Sequence, residues 1–178
     1  MARTKRSRRY YRKRGKWSAN IDTLANVQNS AAVGEFANTA TLCTNPIQSS
    51  TTVSQQFTVK NIEAYFNFDV AEQSNAHNLE CLTAYIMFVP QGMNIGTNYE
   101  KQHPEYIMAM RYYGSPEFEV SQGTSTNGIR NPLRIKTRLS RRLQTGDSVV
   151  LYIRGINQST SSINYRLGGV IRWWTKAN

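Results

Sequence analysis

Residues 57–70 read FTVKNIEAYFNFDV. From Ile62 onward the even positions Ile62, Ala64, Phe66, Phe68 and Val70 are apolar, while Asn61, Glu63, Asn67 and Asp69 are polar and Tyr65 is the exception. Successive side chains of a strand point to opposite faces, so this stretch is a long strand with one buried face. The next apolar run, Leu79 to Val89, is almost continuous: Leu79, Cys81, Leu82, Ala84, Tyr85, Ile86, Met87, Phe88 and Val89. Its Thr, Tyr, Ile, Phe and Val content favours a strand covered on both sides over a short buried helix, and Pro90-Gln-Gly92 closes it with a turn. Further strands are expected at Val33 to Cys43, Pro116 to Ser121, Leu133 to Leu139, Ser148 to Ile156 and Ile163 to Thr175, with Gly146-Asp147 and Gly155 to Ser162 as turns. His103-Pro104-Glu105 precedes Tyr106 to Tyr113, with Pro104 suited to a first helical position and Gly114 to a stop, which predicts one short helix inside a long loop. Seven or eight strands with one helix make an all-β sandwich.

Ahead of the sandwich lies a different kind of sequence. The first sixteen residues hold nine cations and no acid: Arg3, Lys5, Arg6, Arg8, Arg9, Arg12, Lys13, Arg14 and Lys16. Of the chain's net charge of +11 this arm supplies +9, and the other 162 residues only +2. Like charges at this density cannot collapse into a core, so the arm is expected to stay disordered until a polyanion neutralises it. Tyr10, Tyr11 and Trp17 suit stacking on bases. The arm therefore reads as a nucleic-acid-binding segment rather than a merely solvated tail. The cluster Lys5, Arg6, Arg8, Arg9, Arg12, Lys13 and Arg14 also fits a nuclear-import signal, a role that needs the same exposed cations. No apolar stretch of signal-peptide length follows the charges, and no amphipathic face or lipidation motif accompanies them. Neither a secretory leader nor a membrane partner is expected.

These contrasts divide the chain into an arm (1–16), a tether (17–32) and a single domain (33–178). The tether is rich in Asn, Ser and Ala, with scattered Ile21, Leu24 and Val27. About 145 residues remain, enough for one real core. Cys43 and Cys81 show no metal-ligand spacing; a disulfide between them stays open, and buried reduced thiols are favoured for a protein with a nuclear address.

One strand of the domain is also strongly basic. Leu133, Ile135 and Leu139 alternate with Arg134, Lys136 and Arg138, so the cations leave one face while the apolar residues enter the core. Arg141 and Arg142 extend the cluster, as does Arg130, and Arg166, Arg172 and Trp174 share a parity in the last strand. Two readings stand. The cations are paired to acids on a neighbour, or the face is turned toward polyanion; the segregation of sign favours the second.

Catalysis has no visible seat. The two histidines are His77 and His103, the latter suited to capping or packing, and Glu117 and Glu119 are a like-signed pair on a strand face. Nothing resembles a Walker loop, a nucleophile elbow or a metal cluster, so no enzyme activity, cofactor or metal is expected. Asn157-Gln-Ser159 fits a glycosylation sequon, a short and frequent pattern.

Several segments, in order, resemble the coat proteins of small circular single-stranded DNA viruses, the circovirus-like or CRESS-DNA group. They are Tyr85-Ile-Met-Phe-Val-Pro-Gln-Gly-Met93, His103-Pro-Glu-Tyr-Ile107 with Arg111-Tyr-Tyr-Gly114, Arg134 to Ser148, and Val149-Val-Leu-Tyr-Ile-Arg-Gly155. The resemblance implies a single viral jelly roll whose copies build the smallest icosahedral shell (T=1), with the arm inside on the genome. It further implies partners in copies of this chain, a single-stranded DNA genome and nuclear import receptors, and a location in the virion and the host nucleus. On that reading the nucleic-acid-binding residues are the nine arm cations with Tyr10 and Tyr11, and Arg134, Lys136, Arg138, Arg141 and Arg142 of the domain. Counterion release by mobile Arg would neutralise a genome of any sequence. Two other classes compete. A cellular structural nucleic-acid binder, ribosomal-protein-like with a basic extension, would carry a more basic body than +2; a lectin-type sandwich would leave the arm unexplained.

Overall fold

A computed structural model describes residues 16–45, 56–70, 78–114 and 133–177. The strands are β1 (Ser18–Ala31), β2 (Gly34–Thr44), β3 (Phe57–Val70), β4 (Leu79–Val89), β5 (Ile107–Gly114), β6 (Leu133–Lys136), β7 (Ser140–Leu143), β8 (Ser148–Asn157) and β9 (Ile163–Ala177). They form two antiparallel sheets. One runs β1-β9-β3 with β6 and β7 sharing the far edge of β3, and the other runs β2-β8-β4-β5. Apart from β4–β5 and β6–β7, each consecutive pair of strands crosses from one sheet to the other. With β6 and β7 counted as one interrupted strand, this is the eight-stranded jelly roll of two Greek keys.

The core lies between the sheets. Ile62, Ala64, Phe66 and Phe68 of β3 are buried as their alternation demands, each large side chain contributing about 1.5–3 kcal/mol relative to exposure. Phe68 stacks on Tyr165 of β9 at 4.3 Å, and the Tyr165 hydroxyl accepts from Asn38 Nδ2 of β2 at 2.6 Å, tying the two sheets together. Strand β4 is covered on both sides, as its apolar run requires. Leu82, Ala84, Ile86 and Phe88 face the inter-sheet core. Tyr85, Met87 and Val89 join Val150 and Tyr152 in a second cluster under the β4–β5 connection, which seats Tyr99 on them.

Four expectations change. Residues 17–32 are not a tether: residues 18–31 are strand β1, paired along nearly its whole length with β9. Its Asn- and Ser-rich composition conceals a strand whose stability comes from covering the β9 edge rather than from its own propensity. The helix lies earlier than its Pro and Gly suggest. It is α1 (Tyr99–Gln102), Pro104–Tyr106 is a 3-10 turn, and 107–114 is β5, paired with β4. A register shift in β5 near Met108 puts Met108 and Ala109 both against the core, which erases the period-two signal. The basic strand expected over Leu133 to Leu139 breaks after Lys136 and resumes at Ser140, leaving Leu139 58% exposed and giving its core place to Leu143. The opposing strand explains the break: Asn61 of β3 has φ 50, and the register shifts between Lys60 and Glu63. Finally, Cys43 and Cys81 are free thiols, as the sequence favours, but only Cys43 is buried and Cys81 is exposed. The expected strand at Pro116 to Ser121, the arm up to residue 15 with its expected disorder, and His77 and Arg130 lie outside the described residues.

Candidate nucleic-acid interface

The outer face of the β1-β9-β3-β6/β7 sheet follows from register. Opposite Glu63 stand Lys136 of β6 and Arg172 of β9; opposite Tyr65 stand Arg134 and Val170; Lys60 lies between Trp174 and Ser140. Ile21, Tyr65 and Val170 are exposed on it; on the other sheet the β4–β5 connection covers Tyr85, Met87, Val150 and Tyr152, while Met110 of β5 stays exposed. Arg134, Lys136, Arg138, Arg142, Arg166 and Arg172 are exposed. The carboxylates facing them are Glu63 and Asp69.

Glu63 is the organising acid, 7% exposed. It accepts from Arg134 Nε at 2.8 Å and from Arg134 Nη2, from Arg172 Nη2 at 3.1 Å and from the Tyr65 hydroxyl at 2.9 Å. Burial alone would raise its carboxyl, but the Arg134 and Tyr65 hydrogen bonds and the charges of Arg134 and Arg172 hold it below the ordinary carboxylate range. Part of the basic cluster is thus paired to an acid on a neighbouring strand, as one of the two sequence readings holds. Lys136, Arg138 and Arg142 have no ion-pair partner among the described residues.

Aromatic rings are interleaved with the cations. The Lys60 ammonium lies 3.9 Å from the Trp17 ring centroid, the Arg172 guanidinium 4.9 Å from Trp174 and the Arg134 guanidinium 5.1 Å from Tyr65. The Trp17 contact also fixes where the basic arm joins the body. Trp17 reaches the outer face beside Lys60, on the same side as Arg172 and Lys136.

Arg141 is not brought to this face. Its guanidinium lies 4.5 Å from the Phe88 ring and 5.8 Å from Tyr106, on the core side of β7, because Leu143 and Arg141 share one parity there and Arg142 takes the other. Glu63 is the residue the sequence reading left out of the site, and Trp174 entered it only through its position in β9. The Arg172–Trp174 parity in β9 pointed to the second, while an acid amid cations gave no signal for the first. Asn157 is unavailable for glycosylation: it is 1% exposed and its Nδ2 donates to Ala31 O at 2.9 Å and Ser161 O at 3.0 Å.

No protein-family model matches the chain, and no curated protein matches it. Among solved structures it is similar to infectious bursal disease virus, Gx strain, at 14% identity and a TM-score of 0.44, covering 93% of this chain and 33% of that one. It is similar to turnip yellow mosaic virus at 15% identity and a TM-score of 0.40, covering 92% and 94%, and to decameric BFDV capsid protein at 6% and 0.23, covering 89% and 99%. Its structural neighbours are viral capsid proteins. The chain spans about a third of the length of the infectious bursal disease virus chain it matches.

Proposed function

We propose that this chain is a structural coat protein whose copies assemble into a small icosahedral (T=1) shell and package a circular single-stranded DNA genome through the basic arm. The observation that carries the reading is the junction at Lys16 and Trp17. There the arm's sequence, with nine cations, joins the body at Trp17, which packs on Lys60 of a basic sheet face that no described element covers. The ordered segments resembling circovirus-like coat proteins and the jelly-roll strand order support it. Neutralisation by Arg and Lys is blind to sequence, which suits a whole genome as cargo. A shell also offers a partner surface for the open edges of β1 and β5. The arm doubles as the import signal that brings newly made protein to the nucleus of the host.

The test is negative-stain microscopy of the expressed protein combined with nuclease digestion. Uniform spherical particles holding nuclease-resistant single-stranded DNA are expected. Monodisperse monomers that bind nucleic acid would instead identify a cellular structural binder, and monomers without nucleic-acid affinity would reject both.

A further inference from the structure

We propose that the basic sheet face contains a pocket for one nucleotide of a single strand, with the base stacked on Trp174 and the phosphate held by Lys136 and Arg138. This deepens the packaging reading above and rests on it.

The pocket is made by two backbone irregularities that face each other. On β3, the left-handed Asn61 and the shifted register push the strand out of line. On the neighbouring edge the chain leaves the sheet between β6 and β7. There Thr137 N donates to Ile62 O at 2.9 Å, while the Thr137 hydroxyl donates to Met108 O at 2.8 Å and accepts from Leu139 N at 3.0 Å. The gap is a depression of about 290 Å³ whose lining includes Glu63, Arg134, Lys136, Arg138, Arg172 and Trp174.

Its chemistry is that of a nucleotide site. Glu63, 7% exposed, holds two guanidiniums of the lining in fixed orientation, so the Arg134 and Arg172 donors it does not use are pre-ordered. One carboxylate against two guanidiniums leaves this group positive, and Lys136 and Arg138 add two cations that no described acid engages. A free inorganic anion would need none of the aromatic wall. Trp174 is half-buried at that wall, its indole already polarised by Arg172, and a base stacked on a protein ring contributes roughly 1–3 kcal/mol. Duplex bases have no free faces to offer it, so the pocket selects single strands. Trp17, the residue that follows the arm, packs on Lys60 of the same face.

The experiment uses the full chain in about 0.5 M salt, where the counterion-release contribution of the arm is suppressed. Anisotropy is read with labelled oligothymidylate and with a duplex of equal length, and inorganic phosphate is added as competitor. Trp174→Leu should weaken single-strand binding roughly 5- to 150-fold and leave duplex binding unchanged, Trp174→Tyr should restore most of it, and millimolar phosphate should not displace the oligonucleotide. Lys136→Ala with Arg138→Ala, both on exposed side chains, should lower the single-strand salt slope by about 1.4 and keeps the test alive if Trp174→Leu does not fold. Single-strand affinity untouched by Trp174→Leu, an equal loss on duplex, or an unchanged slope in the double variant would overturn the pocket while leaving arm-driven packaging intact. A full chain with no nucleic-acid affinity would overturn both.

Discussion

Glu63 and Arg172 meet across the β3–β9 pair, Arg172 Nη2 lying 3.1 Å from Glu63 Oε2. With Arg134 on the opposite side, this places one nearly buried carboxylate under two half-exposed guanidiniums. A face that is basic to solvent is therefore anchored from beneath by an acid, and the anchor titrates.

The Glu63 carboxyl is held below its ordinary value of 4.5, so folding stabilises its charged form. That stabilisation is complete above about pH 4.5 and is lost as pH falls through the lowered value. Urea unfolding from pH 7 down to pH 3 should show a decline that is shallower in Glu63→Gln. Identical pH profiles for the two proteins would refute the assignment.

A second carboxylate is buried on the other sheet. Glu100 of α1 accepts from the Tyr152 hydroxyl at 2.8 Å, and Arg154 Nη1 lies 3.0 Å from it while also reaching Glu35. Tyr152→Phe strips Glu100 of its aligned hydroxyl donor and should cost about 1–3 kcal/mol in urea unfolding. The 90–106 segment should become the first site of proteolytic nicking, since the same hydroxyl lies 2.7 Å from Thr97 O.

Gly169 of β9 lies opposite Phe66 of β3. A Cβ there would overlap the Tyr65 carbonyl oxygen and come within 2.7 Å of Phe66 Cα, both backbone atoms of a central strand. Gly169→Ala should therefore cost about 3 kcal/mol or more, seen as loss of folded protein on expression or a large fall in Tm. A variant with unchanged Tm would show that the two strands separate more easily than this packing implies.

Deleting residues 1–16 removes nine cations and no described core residue, and it keeps the Trp17–Lys60 contact. Single-strand affinity at low salt should fall steeply, with the log–log salt slope dropping by up to about six, while the unfolding midpoint stays put. Intact affinity and slope would place the binding elsewhere.

Replacing Arg8, Arg9, Arg12, Lys13 and Arg14 with Ala in a reporter fused to the arm should abolish nuclear accumulation in a eukaryotic cell. Continued accumulation would remove the import role without touching DNA binding.

The strands legible in the sequence were those whose stability is written in their own side chains. β3 shows one clean alternation from Ile62 to Val70, and β4, β8 and β9 carry dense apolar content. The strands that escaped are held by neighbours instead. β1 is polar and exists because β9 needs a partner, and β5 loses its alternation at Met108. The basic cluster was visible as a run of cations, but not the turn of Arg141 toward Phe88, since a break in the chain resets parity without altering composition. Glu63 is a further case: its meaning lies in which cations stand beside it across two strands, and pairing register is not a local property.

The interruption between Lys136 and Ser140 has a consequence for how concentrated protein behaves. An uninterrupted eleven-position edge from Leu133 to Leu143 would be a flat template on which another chain's strand could zip without limit. Split into two four-residue pieces, with Arg111 Nη1 and the Tyr113 hydroxyl both donating to the Arg134 carbonyl, this edge gives an incoming strand too few consecutive open groups to grow from. The same kink that hollows the sheet thus guards this edge against fibre formation.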